Sequence, residues 1–359
     1  MFMLHGGDIY TDGILKGRKL LDFSSNINPL GIPIAFKENI EEAIKNAERY
    51  PDINYRELAS NLSKYTGVKE ECFVFGNGAA EIIDLAISCF ESILIVVPSF
   101  IEYELNAIKW GAKIEYSYLT ENANFNYDDI QKKLKSVEAL IIANPNNPNG
   151  SVIDKSKFRK ILEFCERENK FIIIDEAFIE FTGDKVYSFV NEILDFKCLI
   201  IIRALTKFFA MPGIRFGYGI SANEGILKKI RGKQNPWNIN CFAELAVKYV
   251  LNDKLYIEKS KEWIMEERNR FSSQLKNIKF IDKVFDTKSN FLLCKLKYIN
   301  DDKLHKLCLE NGIVIRKARG FRGLDESFIR LAIKDIDSNE RLIKVLKKIE
   351  NLNVFGEGN

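Results

Sequence analysis

The chain alternates short, wholly apolar runs with longer stretches in which apolar residues recur every three or four positions. The runs are Cys72–Phe75, Ile93–Val97, Leu140–Ala143, Ile172–Ile174 and Leu199–Ile202, and each stops abruptly at a polar or turn residue. Rich in Ile and Val and apolar on both faces, they predict strands covered on both sides, as in a largely parallel sheet. Between them Ala80–Phe90, Tyr103–Trp110 and Lys155–Asn169 carry helical spacing. The order strand, helix, strand, helix predicts an α/β domain. Ligands of such sheets bind beyond the carboxyl ends of the strands. The residues that stop the runs are therefore the first candidates for chemistry.

The texture changes after about residue 252. Asp253–Ile278 predicts one long helix, with Tyr256, Ile257, Trp263, Ile264 and Phe271 as apolar positions among many charges. Beyond it, Lys279–Phe285, Phe291–Lys297, Ile313–Arg319 and Ser327–Lys334 are strand-like and interleave with helices Asp302–Asn311 and Asp337–Leu352. This predicts a second, smaller α+β domain. Asp337 and Glu340 have the spacing of a capping box at the start of the last helix. His305 is expected to be a solvated helix residue.

The 359 residues suffice for about two domains. With 46% apolar and 29% charged residues, the chain is an ordinary globular one, which excludes a disordered or collagen-like protein. Its net charge of +3 is small and its lysines are dispersed, so neither a nucleic acid nor a membrane surface is expected as partner. Seven widely spaced cysteines without a CxxC pair, and few histidines, predict reduced buried thiols and no metal site. No apolar window approaches a membrane span and the first residues lack signal-peptide character, so the expected compartment is the cytoplasm.

Four of the strand ends carry chemistry. Gly76-Asn77-Gly78-Ala79-Ala80-Glu81 leads from a strand into a helix, where unpaired amides and the helix dipole suit a phosphate. It is not a dinucleotide fingerprint, because Glu81 stands where the third Gly is needed, and no Gly-Lys-Ser/Thr follows to make a P-loop. Asn144-Pro145-Asn146-Asn147-Pro148-Asn149-Gly150 is dense in turn residues. Asp175-Glu176 places an acid at the end of a central strand, where burial without a cationic partner is costly. Lys207 follows the Leu199–Ile202 run, trailed by Pro212-Gly213-Ile214-Arg215-Phe216-Gly217. Each alone is more often structural than catalytic. Together an amide, a carboxylate, an amine and a phosphate cradle at one sheet edge describe a pyridoxal phosphate site.

On these motifs the chain resembles the fold-type-I pyridoxal phosphate enzymes of the histidinol-phosphate aminotransferase branch, from His5 to the final helix. Within the branch, His5-Gly6-Gly7, Asp22–Gly31, Asp175-Glu176-Ala177-Phe178 and Leu205–Gly213 resemble more specifically the threonine-phosphate decarboxylases. The resemblance implies a large pyridoxal-phosphate-binding domain over 46–255, with 1–45 as an N-terminal arm joining 256–359 in the small domain, and a homodimer. It implies decarboxylation of L-threonine O-3-phosphate to (R)-1-aminopropan-2-yl phosphate in cobalamin biosynthesis. The alternatives are a histidinol-phosphate or related aminotransferase, and a non-catalytic regulatory protein on the same fold.

Site roles follow from the same resemblance. Lys207 would carry the cofactor covalently and then move a proton at Cα. Asp175 would keep the pyridine nitrogen protonated, Asn147 would bond the ring's 3-oxygen, and Phe100 would stack on the ring. Gly78, Ala79, Thr206 and Arg215 would hold the cofactor phosphate, and Tyr55 would reach the phosphate of the neighbouring subunit. Arg330 would take the substrate carboxylate and Arg316 a second substrate anion. His5, Gly6, Asn26 and Asn147 would complete the substrate pocket. Three departures from the branch are Phe178 where its aminotransferases have Tyr, Ala204 for Ser, and Asn149 for Thr.

Overall fold

The computed structural model describes residues 6–352. Among the described residues thirteen strands form, beginning with β1 Leu21–Asp22, β2 Phe73–Gly76, β3 Ser92–Val97, β4 Lys113–Tyr118, β5 Ala139–Ala143, β6 Phe171–Asp175 and β7 Leu199–Ala204. They continue with β8 Gly217–Ile220, β9 Ile281–Val284, β10 Phe291–Leu296, β11 Ile313–Val314, β12 Arg316–Lys317 and β13 Phe328–Ala332. Seven form one sheet in the order β2-β8-β7-β6-β5-β3-β4. The pairs from β7 to β4 are parallel, and β8 runs antiparallel to both of its neighbours.

The Ile- and Val-rich runs form these strands because helices cover both faces. β5 and β7 are buried at every position. Helices Ala79–Ile87, Glu102–Lys109, Tyr127–Leu134 and Lys155–Arg167 each turn an apolar stripe inward. The chain leaves β3 toward β4 on one side and passes through β5, β6 and β7 on the other. The direction of winding therefore reverses between β3 and β5, which opens a crevice at their carboxyl ends.

Three strands escaped the sequence pattern, among them the two-residue β1, too short to show one. β4 is an edge strand with charged Lys113 and Glu115, so no apolar run marks it. β8 holds two glycines, which weaken a strand signal. Gly217 is required there by close approach: a Cβ would lie 2.2 Å from the Ala79 nitrogen. Its absence lets β8 pass directly beneath the start of the helix Ala79–Ile87.

A four-stranded antiparallel sheet, β12-β13-β10-β9, follows the long helix Lys254–Leu275. The single strand expected over Ile313–Arg319 is divided: β11 pairs in parallel with β1 and β12 with β13. Phe23 extends this contact, donating its N–H to Val314 and accepting from Ala332. The N-terminal segment is thereby stitched to strands nearly three hundred residues away.

The last helix, Ile336–Glu350, is capped by Asp335, whose carboxylate accepts from the Ser338 N–H. The expected Asp337 and Glu340 capping box is not formed. Asp337 already lies in the first turn, and Glu340 pairs instead with Arg270 at 3.3 Å. His305 is half-buried in the helix Asp301–Glu310, and burial holds its pKa below the ordinary value. The cysteines are free thiols. Among the described residues no helix is long and apolar enough to cross a membrane.

Candidate active site

β6 ends in Asp175, whose Cα partners are Ala143 on β5 and Ile202 on β7. This register brings the loops after β5 and β7 to the same sheet edge. A cleft of about 250 Å³ opens there. Of the residues expected from the sequence, Gly6, Asn26, Ala79, Phe100, Asn147, Asp175, Thr206, Lys207, Arg215 and Arg330 line it. Arg316 borders a small adjoining hollow with Gly6, Phe100, Asn147, Phe321 and Arg330. Gly78 is not among the residues lining it but packs against Arg215, which is. Tyr55 lies away from the cleft, donating its hydroxyl to Asn238 at 2.8 Å. His5 lies outside the described residues.

The amine and the carboxylate both carry the mark of burial. Asp175 is buried, and desolvation raises its pKa, opposed by hydrogen bonds from Tyr103 Oη and the Ala177 N–H. Lys207 is lowered to about 8 by burial and by the charges of Arg330, Arg215 and Lys334. A substantial share of its amine is therefore neutral near physiological pH, as a nucleophile or a proton carrier requires.

The wall below Lys207 suits a phosphate. Gly78 adopts φ +85, and a Cβ there would lie 2.4 Å from Arg215 Nη2. Glycine lets the guanidinium close over the first amides of the helix Ala79–Ile87, which have no acceptor within the helix. Arg215 is bound only loosely, to the Pro212 and Asn77 carbonyls at 3.3 and 3.4 Å. Ala204 lines the cleft without a hydroxyl. Asn149 serves the loop itself, accepting from Asn146 and donating to the Ala123 carbonyl.

The opposite wall is cationic. Arg330 is buried and spans two segments, donating to Asn147 Oδ1 at 2.7 Å and to the Ser24 carbonyl at 2.5 Å. Among the described residues its Nε has no hydrogen-bond partner, and neither does the buried Oδ1 of Asn26. Burial, reinforced by the charge of Arg316, lowers the Arg330 pKa to about 9. Arg316 is lowered to about 10 by burial. Such desolvated cations beside an open cleft call for an anionic ligand.

Several contributors were not evident in the sequence. Asp22 accepts from the backbone and hydroxyl of Ser24 and from Ser25, and Ser24 Oγ accepts from the Gly7 N–H at 2.7 Å. The strap that holds Gly6 over the cleft is tied down in this way. A Cβ on Gly6 would lie 2.2 Å from the Ser24 carbonyl oxygen, so the strap needs glycine. Tyr103 was legible only as an apolar helical position; its place three residues after Phe100 was the available clue. Glu176, beside Asp175, is structural: it is buried and accepts from Arg203, Ser188 and the Phe189 N–H.

An acid at the end of a central strand, an amine after the next strand and a glycine-walled helix start fit pyridoxal phosphate. At the cleft wall, Arg330 Nε and Asn26 Oδ1 are buried polar atoms for which the described residues supply no partner. The chain belongs to the Aminotransferase class I and II family, which matches residues 18–346. It is a pyridoxal-phosphate-dependent enzyme of the fold-type-I architecture.

Its relatives carry two names. A protein of Caldanaerobacter subterraneus subsp. tengcongensis, provisionally named threonine-phosphate decarboxylase, is 41% identical over 96% of this chain and 93% of its own length. The threonine-phosphate decarboxylase of Salmonella typhimurium is 31% identical over 96% of each chain. A crystal structure described as the histidinol-phosphate aminotransferase from Clostridium acetobutylicum is 56% identical, with a TM-score of 0.91, covering 92% of this chain and 99% of that one.

Proposed function

We propose that the protein is a carboxy-lyase that releases carbon dioxide from L-threonine O-3-phosphate and leaves (R)-1-aminopropan-2-yl phosphate, in cobalamin biosynthesis. The observation that carries this reading is the pair of buried arginines, Arg330 on the cleft that holds Lys207 and Asp175 and Arg316 on the small hollow adjoining it. A small substrate with a carboxylate and a phosphate matches two desolvated cations set side by side. The names of the two decarboxylase relatives support the same choice.

When bound, the cofactor supplies an electron-accepting ring for the pair released as a bond to Cα breaks. Asp175 would hold the proton on the ring nitrogen, and Asn147 would donate to the ring oxygen through the amide nitrogen that Arg330 leaves available. Gly78, Ala79, Thr206 and Arg215 would hold the phosphate, with Phe100 against the ring face. Arg330 would take the substrate carboxylate and Arg316 the substrate phosphate. Gly6 and Asn26, on the strap, would close the cleft and exclude water. Lys207, with a pKa of about 8, would return a proton to Cα once carbon dioxide has left.

Phe178 supports decarboxylation in a local way. It lines the cleft, packs edge-on against Phe291 with centroids 5.1 Å apart, and offers no hydroxyl to the ring oxygen. The aminotransferase reading rests on the 56% identical structure. Carbon dioxide release from L-threonine O-3-phosphate, measured beside 2-oxoglutarate-dependent consumption of histidinol phosphate, tests the two. Amino transfer without carbon dioxide release would overturn the proposal.

The same reading divides the chain into a cofactor-binding domain over 46–255 and a small domain of 1–45 with 256–359, acting as a cytoplasmic homodimer. The pairing of β1 with β11 supports the discontinuous small domain. An exposed apolar patch supports the dimer: the tilted rings of Tyr50 and Trp237 meet with centroids 4.8 Å apart, and exposed Ile53 lies near Tyr55 and Trp237. A monomeric mass in sedimentation would remove the role proposed for Tyr55 in the neighbouring subunit.

A further inference from the structure

We infer that Tyr103 is a positioning residue for the cofactor's ring nitrogen, acting through Asp175: its hydroxyl keeps the carboxylate anionic, so that the shared proton stays on the ring. The inference rests on Asp175 meeting that nitrogen, as proposed above, and does not depend on which substrate is used.

The geometry comes from a single helical turn. Phe100 immediately follows Pro98-Ser99 at the end of β3, and the Tyr103 N–H closes on the Phe100 carbonyl at 3.1 Å. Residues three apart share a helix face, and here the two rings meet edge to face with centroids 5.8 Å apart. One turn thus presents an aromatic face and a hydroxyl to the same cleft, which both residues line.

Tyr103 is fully buried, and among the described residues its hydroxyl has one hydrogen bond, to Asp175 Oδ2 at 2.5 Å. The other oxygen, Oδ1, accepts from the Ala177 N–H at 2.9 Å. These donors fix the carboxylate plane from both ends, and each oxygen keeps a lone pair for a further donor.

The energetic role follows from burial. Desolvation and neighbouring Glu176 both raise the Asp175 pKa, whereas the Tyr103 and Ala177 bonds lower it. A carboxylate that loses the phenol donor becomes more basic. One proton lies between Asp175 and the ring nitrogen, so a more basic carboxylate draws it from nitrogen to oxygen with no other change in charge. Ring filling alone would make no such demand, since Phe has the same shape in the same core.

The test uses holoenzyme loaded with cofactor carrying 15N in the ring. In Tyr103→Phe the ring nitrogen resonance should move from the protonated toward the unprotonated position. The cofactor dissociation constant should rise by about 10- to 100-fold, the span of one hydrogen bond to a charged group. Fluorotyrosine at position 103, a stronger donor that preserves folding, should not move the resonance toward the unprotonated position. In Asp175→Asn, adding Tyr103→Phe should change the resonance no further. An unchanged resonance in Tyr103→Phe overturns the inference, and if that variant does not fold, an unprotonated nitrogen in the fluorotyrosine enzyme does so. An unprotonated nitrogen in the unaltered enzyme would also remove the role given to Asp175. Substrate choice affects none of these readings.

Discussion

Arg316 and Arg330 are direct Cα partners on the antiparallel strands β12 and β13. Both guanidinium groups also lie near the ring of Phe321, at 5.4 and 5.9 Å from its centroid. Two desolvated like charges in register repel, and an anion bound between them relieves the repulsion. Arg330→Gln should therefore lower kcat/KM for the phosphorylated amino acid by roughly 100-fold, from loss of charge-assisted bonds of about 1.5–3 kcal/mol. Steady-state kinetics with L-threonine O-3-phosphate checks this. A fall below threefold would show that Arg330 does not touch the substrate.

The Lys207 amine gives a pH dependence with a defined sign. Its pKa is lowered to about 8, so the neutral amine grows as pH rises through that value. Cofactor uptake by the apoenzyme should accelerate with pH, with a midpoint near 8. Arg330 is one of the charges that lower the pKa, so Arg330→Gln should move the midpoint upward. Stopped-flow absorbance across the pH range reads both.

Phe178→Tyr adds one hydroxyl at a buried edge of the cleft. A donor to the ring oxygen changes the electron sink by about 1–3 kcal/mol. The ratio of carbon dioxide release to 2-oxoglutarate-dependent transfer should shift toward transfer by about tenfold. An unchanged ratio would show that this position does not set the outcome.

Arg203 and Glu176 form a buried pair behind the site, with Nε and Nη2 bonded to one carboxylate oxygen at 3.0 and 2.9 Å. The Glu176 side chain has no solvent exposure. Arg203→Ala would strand that carboxylate, at a cost of about 3–5 kcal/mol. The double change Arg203→Met with Glu176→Leu should be milder, because both charges of the pair are removed and only Glu180, 4.0 Å from Arg203, loses a cation. Urea denaturation of the two variants distinguishes a paired charge from simple packing.

Much of this protein is local and was therefore legible before folding. Ile172–Ile174 and Leu199–Ile202 declare buried strands by composition, and Asp175 and Lys207 declare themselves by standing where those runs stop. Gly78 is legible because a strand-to-helix turn at φ +85 needs it. β8 was not, since the contact that demands Gly217 belongs to Ala79, far away in the chain.

The amino-acid sequence by itself determined which residues carry charge, amine and phosphate-binding chemistry, because each follows its own strand. Only the tertiary structure decided which of them meet. The opposition of Arg316 and Arg330 depends on strand register, the strap over Gly6 depends on Asp22 and Ser24, and the bond from Tyr103 to Asp175 depends on the phase of the helix after β3 against β6, two places along the sheet. Register and phase are set by packing between segments distant in sequence, and no local pattern encodes them.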